Sequence, residues 1–323
     1  MGPETVTDYI LRRIIGIFPV LLGGSAIIFF SLRIFTPVDI IEDSLSQGVG
    51  ANDEVLRDQL RREYGLDKPM LVQYVLWLWG AVRGDFGLSW ATGQPVADRI
   101  FQSLPVSLEI TLLSIVFAIV IGIPFGVLSA VRLNSWIDYL VRFIAVVGLS
   151  IPSFVVATVL LVAPSIWWGW TPPVGYKAPW ENLSTHMVQM ALPLAALAFG
   201  VAAVNVRMLR STLLEVLRND FIRTGRAKGL NERMVVAGHG LKNALIPVVT
   251  IMGTQVAFTL GGSVVLENIF SLPGLGRLTL IAIDKGDFAQ LQANILYLFL
   301  IYTIVNLLVD LSYAWLDPRI HYS

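Results

Sequence analysis

The sequence contains no cysteine. Disulfides, zinc–thiolate sites, iron–sulfur clusters and cysteine nucleophiles are therefore excluded. Charge is also scarce: 14% of the 323 residues are Asp, Glu, Lys or Arg, against about 25% in an ordinary soluble chain. That leaves too little polar surface for a water-soluble fold of this size. The 23 basic and 23 acidic residues cancel to a formal net charge of zero, so bulk charge makes no case for nucleic-acid binding. The three histidines, His186, His239 and His321, are too scattered to suggest a metal cluster. No phosphate-binding Gly-x-x-x-x-Gly-Lys-Ser/Thr is present; Gly225-Arg226-Ala227-Lys228-Gly229 lacks both the loop length and the Lys-Ser/Thr pair. His-Glu-x-x-His, Gly-x-Ser-x-Gly and Gly-x-Gly-x-x-Gly are missing too. The chain is expected neither to hydrolyse ATP itself nor to bind a cofactor or metal.

What is abundant is apolar: 55% of residues are hydrophobic. A bilayer core about 30 Å thick is crossed by about 20 apolar residues in helix. Six stretches without Asp, Glu, Lys or Arg are long enough: 14–32, 110–131, 143–176, 182–206, 243–266 and 288–309. The tail of the third, Trp167-Trp168-Gly169-Trp170-Thr171-Pro172-Pro173, reads as an aromatic belt and turn. The first follows Arg12-Arg13 as a signal peptide would, but no small-x-small cleavage site with a polar sequel comes after it; it is expected to be a retained span. The reading is an all-α membrane protein with six spans.

Lysine and arginine in the connections set the orientation. Arg12 and Arg13 precede span 1, Arg132 and Arg142 lie between spans 2 and 3, and Arg319 follows span 6. Segment 207–242, between spans 4 and 5, carries eight basic residues against three acidic, a net of +5. All four segments share one side, so both termini are expected in the cytoplasm. The opposite side is poorer: segment 34–103 has six basic and ten acidic residues, a net of −4.

The chain thus divides into an N-terminal segment with span 1 (1–36), an extracytoplasmic insertion (37–103) and a five-span core (104–323). An insertion that long is expected to hold structure of its own. Asn52 can cap a helix over 53–64, Gly65 can stop it, and Asp67-Lys68-Pro69 turns into a second helix bearing Tyr74, Trp77 and Leu78. Arg83-Gly84-Asp85-Phe86-Gly87 reads as a turn. The insertion is either a cap packed on the outer face or a docking surface for an extracytoplasmic partner. The inner segment holds a short stretch with helix potential and small residues at Gly225, Ala227 and Gly229. Small residues admit close approach by another protein; the alternative is a loop whose cations face lipid headgroups.

Charges at the span ends are few: Glu109, Glu267 and Asp310 all fall near interfaces. A capping or interhelical role suits them. The lack of a mid-membrane carboxylate argues against an ion-coupled carrier. Pro152 interrupts span 3 and Pro193 interrupts span 4, as simple kinks or as flexing points.

Laid out in this way, the sequence resembles the inner-membrane permease subunits of dipeptide/oligopeptide ABC importers, the type with a large loop after span 1. The resemblance is carried in order by Tyr9-Ile10-Leu11-Arg12-Arg13, Tyr64-Gly65-Leu66-Asp67-Lys68-Pro69, Arg83-Gly84-Asp85-Phe86-Gly87-Leu88-Ser89 and Leu149-Ser150-Ile151-Pro152-Ser153-Phe154. It continues through Phe221 to Leu230, then His239, Leu241, Lys242, Asn243, Ala244 and Pro247, and ends with the run from Glu267 to Gly276 and Asp317-Pro318-Arg319. Gly225 stands where the family usually has alanine, and Thr36-Pro37-Val38-Asp39 replaces a more usual Pro-Gly-Asp-Pro turn.

The resemblance implies a type I importer-like transmembrane domain in a bacterial or archaeal cytoplasmic membrane. It implies a second homologous permease, two cytoplasmic ATPases that bind ATP and Mg, and an extracytoplasmic substrate-binding protein. Phe221, Arg223, Thr224, Gly225, Arg226, Ala227, Lys228, Gly229 and Leu230 would form the ATPase-coupling element within 207–242. The cargo would be di- or oligopeptides, with nickel, oligosaccharide, glutathione or opine as alternatives; an ion-coupled secondary transporter is the remaining class. Ser150, Pro152, Ser153 and Gln255, polar or helix-breaking in apolar spans, are pathway candidates, with interhelical packing as the alternative. Glu267, Ser271, Pro273, Gly274 and Gly276 are candidates for an outer gate or a binding-protein contact.

Overall fold

The computed structural model describes residues 6–35, 62 and 66–316. The expected helix over 53–64 with its Asn52 cap and Gly65 stop, the 36–39 turn, the side chain of Asp310 and the Asp317-Pro318-Arg319 motif lie outside the described residues. In chain order the helices are α1 (Val6–Phe35), α2 (Met70–Val82), α3 (Val96–Val131), α4 (Trp136–Ser150), α5 (Ser153–Trp168), α6 (Leu183–Val216), α7 (Asp220–Ala227), α8 (Glu232–Ile269), α9 (Leu275–Asp284) and α10 (Phe288–Leu316). α8 contains a π turn at Val235–Gly240.

Among the described residues five helices, α1, α3, α6, α8 and α10, are long and apolar enough to cross a membrane. The sixth span is the pair α4 and α5, bent by 101° between Ser150 and Ser153. Pro152 has no N–H to continue the ladder and pushes Ile151 into an extended conformation (ψ 121°), so the helix stops and restarts. Pro193 does not have this effect: α6 runs through it unbroken. Packing against α4, α5 and α8 holds α6 in place, as membrane helices allow. The helices also overrun the uncharged stretches. α3 begins at Val96 and α6 continues past Arg207 and Arg210, because charged turns outside the apolar layer are still good helix.

The chain forms two compact units: Met1–Val106 with Pro273–Leu307 and His321–Ser323, and Ser107–Leu272 with Leu308–Ile320. In the first, α2 lies against α1. Phe29 is buried against the rings of Tyr74 and Trp77 (5.5 and 5.6 Å), and Tyr74 Oη reaches Ser25 Oγ at 3.0 Å. Gly24 lets α1 approach α10, since a Cβ there would fall 2.2 Å from the Phe299 ring. Asp287, buried at the start of α10, caps that helix through the Gln290 N–H (3.2 Å). It also accepts from Ser89 Oγ and the Trp90 N–H, which fixes the turn after the expected Arg83–Gly87 bend. Val96, Ile100, Leu275, Leu278 and Ala293 form this unit's core.

In the second unit α6 is central. Ala118 meets Ala198 and Ala202. Gly122 abuts Asn205 and Gly148 abuts Ala203, the small-residue packing of membrane helices. One charged clasp joins α4 to α6. Asp138, with a fully buried side chain, receives Arg210 in two parallel bonds of 2.8 and 2.9 Å. Ser129 Oγ (2.6 Å) and the Asn134 N–H (3.1 Å) complete its partners.

Arg210→Met would leave that carboxylate buried without its cation, at a cost of about 3–5 kcal/mol. The thermal midpoint of the purified chain in detergent is expected to fall clearly. Asp138→Leu added to Arg210→Met is expected to restore most of the loss, because replacing both partners is often neutral. An unchanged midpoint in the single variant would refute a supporting role for the clasp.

Candidate functional site

The inner segment folds into α7, a helix of eight residues whose only buried member is Ile222. So short a helix does not hold itself in water. Ile222, 1% exposed, supplies the tertiary anchor, and α7 packs on the π turn, whose Val235 is wholly buried. Asp220 lies in the first turn and Arg226 in the last, each matching the helix dipole.

The end of α7 is a Schellman cap. Gly229 takes φ +79°, a conformation that costs a residue with a Cβ about 1–2 kcal/mol. The Gly229 N–H reaches the Arg226 carbonyl at 3.0 Å and the Leu230 N–H reaches the Gly225 carbonyl at 3.3 Å, the two bonds that define the motif. A Cβ at Gly225 would meet Leu230 Cδ1 at 3.5 Å, ordinary contact distance. Here Gly225 is not required by backbone geometry, whereas Gly229 is. Beyond the cap, Arg226 binds Glu232 through two bonds of 3.0 and 2.7 Å. The pair is exposed and worth little in energy, but it ties α7 to the start of α8.

The outward face of α7 and its cap presents Phe221, Arg223, Thr224, Arg226, Ala227, Lys228 and Gly229, all exposed. Gly225 and Leu230 are half-buried beneath them. The structure thus gathers all nine predicted coupling residues into one projection from the cytoplasmic ends of α6 and α8.

Other predicted residues are placed differently. Ser150, Pro152 and Ser153 come together at the α4–α5 break, with Ser150 and Pro152 exposed. Gln255 does not join them: it is buried on α8 and both its amide atoms lack a hydrogen-bond partner among the described residues. Glu267 is wholly buried and accepts from Ser107 Oγ at 2.7 Å. Ser271 is exposed, has φ +54° and ends α8 with the same two cap bonds that Gly229 makes. It borders a cavity of about 210 Å³ with residues 171–176 and Gln189. Pro273 is exposed, while Gly274 and Gly276 are buried at the start of α9.

Sequence reasoning missed Ile222, the residue that seats α7. A single aliphatic side chain inside an otherwise polar eight-residue helix is the signal that could have found it. The Asp138–Arg210 clasp and a contact between Glu109 and His186 (2.7 Å) carry no local signature, since their partners lie 72 and 77 residues apart.

Comparison with known proteins agrees with this architecture. Residues 122–322 match the family described as "Binding-protein-dependent transport system inner membrane component", and residues 6–111 match its N-terminal companion. The chain is 39% identical to the glutathione transport system permease protein GsiC of Escherichia coli K12 over 316 residues, covering 98% of this chain and 99% of that protein. The GsiC of Shigella flexneri serotype 5b gives the same values. Among solved structures, the inward-facing MetNI methionine ABC transporter matches with a TM-score of 0.54 at 21% identity, over 68% of this chain and 96% of that one. An amino acid ABC transporter crystallised with histidines gives 0.53 at 14%, over 69% and 94%. Both show the fold, that of a type I importer transmembrane domain. The chain belongs to the binding-protein-dependent transport system inner membrane components, the multi-pass permease subunits of ABC importers.

Proposed function

We propose that this permease carries short peptides inward, driven by two separate ATPase subunits that engage α7. The observation that carries the reading is the form of the inner segment: an exposed, rigidly capped helix seated by one buried residue, on a chain without a phosphate-binding motif. A chain that cannot use ATP but projects such an element is suited to receive work from a partner. Coupling is a free energy shared between two sites through an element with two arrangements. Phe221, Arg223, Thr224, Gly225, Arg226, Ala227, Lys228, Gly229 and Leu230 form that contact, within the loop 207–242 of a core spanning 104–323. A second permease completes the pathway, which Ser150, Pro152 and Ser153 help to line, while Gln255 lies buried on α8. A binding protein delivers cargo at the outer side, where Ser271 and Pro273 are each exposed.

Support for a peptide cargo comes from the relatives, which are named for transport of glutathione, itself a short peptide. Nickel, oligosaccharide and opine remain outcomes of the same assay.

Reconstitution in liposomes tests the assignment. The purified chain is expected to hydrolyse no ATP alone. With a second permease, two ATPase subunits and a loaded binding protein, it is expected to support ATP hydrolysis and peptide uptake. Uptake by the chain alone, driven by a proton gradient, would instead establish a secondary transporter.

Substitutions in α7 test the contact. Ala227→Trp and Gly229→Val are expected to reduce uptake at least about tenfold, about 1.4 kcal/mol of coupling, with the protein still inserted in the membrane. Gly225→Ala is expected to keep uptake and to stabilise α7 by up to about 1 kcal/mol. Normal uptake in both bulky variants would reject the assignment of α7.

A further inference from the structure

α4 packs on α6 through a cluster of Val141, Ala145, Ala203 and Val206. Beside that contact, α4 carries Tyr139, Arg142, Phe143 and Val146 at helical spacings of three and four residues, so they form one stripe. Arg207, Arg210 and Ser211 form the facing stripe of α6. The two stripes are the walls of a single open groove of about 550 Å³.

The three guanidinium groups of this groove are not equivalent. Arg210 is neutralised, since it holds the buried Asp138 carboxylate through two bonds. Arg142 and Arg207 are exposed, and among the described residues neither forms an ion pair with a carboxylate. Arg142 lies over the Tyr139 ring at 5.0 Å. That contact orients the planar group without cancelling its charge. The groove therefore holds two uncompensated positive charges.

The sequence of both helices marks its depth. The uncharged stretch of α4 begins at Phe143, directly after Arg142, and that of α6 ends at Val206, directly before Arg207. Each arginine is the first charge met on leaving the apolar layer toward the cytoplasm, so both stand at the level of lipid headgroups. Trp136 and Tyr139, exposed at the start of α4, have the ring types enriched at that level. From Arg142 into the apolar layer the wall continues through Phe143 and Val146, which are 66% and 58% exposed.

A ligand that matches this arrangement has a phosphate at one end and hydrocarbon at the other. A guanidinium presents its donors in a fork that fits phosphate oxygens, and basic pockets between membrane helices on the cytoplasmic side suit acidic headgroups. A zwitterionic lipid brings its own ammonium and leaves the net charge of the groove unchanged, whereas an anionic lipid lowers it. A soluble anion gains nothing from Phe143 and Val146. We propose that the α4–α6 groove binds one anionic phospholipid of the cytoplasmic leaflet, with its phosphate held by Arg142 and Arg207 and an acyl chain laid along Phe143 and Val146. A lipid seated there covers the open side of the Asp138–Arg210 clasp, because Arg210 lines the same groove. The site is independent of what the permease carries.

Photocrosslinking in the full-length chain tests it. Phe143→p-benzoylphenylalanine puts a photoreactive ring on the groove wall and leaves both arginines intact. The protein is reconstituted in nanodiscs of phosphatidylglycerol and phosphatidylethanolamine and illuminated, and the attached lipid is identified by mass spectrometry. Phosphatidylglycerol is expected to be enriched at least about fivefold over its share of the bilayer, the factor that one arginine near an acidic headgroup supplies. With Arg142→Gln and Arg207→Gln added, attachment is expected to fall to that share. With Arg218→Gln and Arg233→Gln added instead, the same charge is removed from the same side but outside the groove, and the enrichment is expected to persist. Attachment in proportion to the bilayer, or equal loss in both pairs of variants, would overturn the site. Loss of the enrichment on adding inorganic phosphate, but not chloride at the same ionic strength, would assign the arginines to a soluble anion and overturn it too. In the assembled importer, attachment of the probe to the second permease in place of lipid would do the same.

Discussion

A charged group inside an apolar bundle must be satisfied by the chain itself, because lipid offers it no partner. That requirement organises the second unit. Asp138 is met by Arg210, Ser129 and Asn134; Glu267 by Ser107 and Ser263; Glu109 by His186. Each set joins helices that are distant in sequence. Asp138–Arg210 fixes α4 to α6 near the cytoplasmic ends, and Glu109–His186 fixes α3 to α6 near the outer ends. Between these two levels the contacts are small and apolar, with Ala118, Ala198, Ala202 and Ala203 packing closely. Directional bonds at the ends set the register of the helices, and non-directional packing fills the middle.

The short helix α7 faces a different constraint. An eight-residue helix has few internal bonds, and its exposed carbonyls invite fraying. Ile222 seats it, the Gly229 cap closes its last carbonyls, and Arg226–Glu232 ties it to α8. Each device leaves the outward face free. Short-range bonds thus stiffen α7 along its own length and attach it at both ends. The π turn beneath it is a common feature of functional positions in helices, and it lies where α7 rests.

Much of this was legible in the sequence. Four of the six uncharged stretches fall within single long helices, and a fifth, 182–206, does so from its second residue, because the cost of burying charge marks the membrane layer directly. The ends of the helices were not legible, since lack of charge measures depth in the bilayer and not helicity. α3 and α6 therefore extend through Asp98, Arg207 and Arg210. Nor were the two prolines distinguishable. Pro152 breaks its span by 101° and Pro193 leaves α6 whole; the difference lies in which neighbours pack on each. The short inner helix was legible as a stretch with helix potential, but its anchor was not, because Ile222 matters through a contact and not through its neighbours in sequence. Gln255 and Glu267, singled out for polarity in apolar stretches, are both buried within this chain, the placement that interhelical contact gives.

The charge balance also takes on a different meaning once the structure is known. Segment 207–242 carries a net of +5, which by itself suggests attraction to an acidic partner or to anionic lipid. Three of its arginines are already engaged: Arg210 with buried Asp138, Arg226 with Glu232, and Arg223 with Asp220 at 3.5 Å. What α7 and its cap offer outward is Phe221, 47% exposed, with Ala227, Gly229 and Lys228 beside it and the exposed, paired Arg223 and Arg226. A contact built on an aromatic anchor and small residues depends on shape and on excluding water, and little on ionic strength. The basic excess orients the chain in the membrane, and the small residues decide how closely another surface can approach. Those two tasks fall on different side chains of one short segment, so charge can hold the topology without dictating which partner fits.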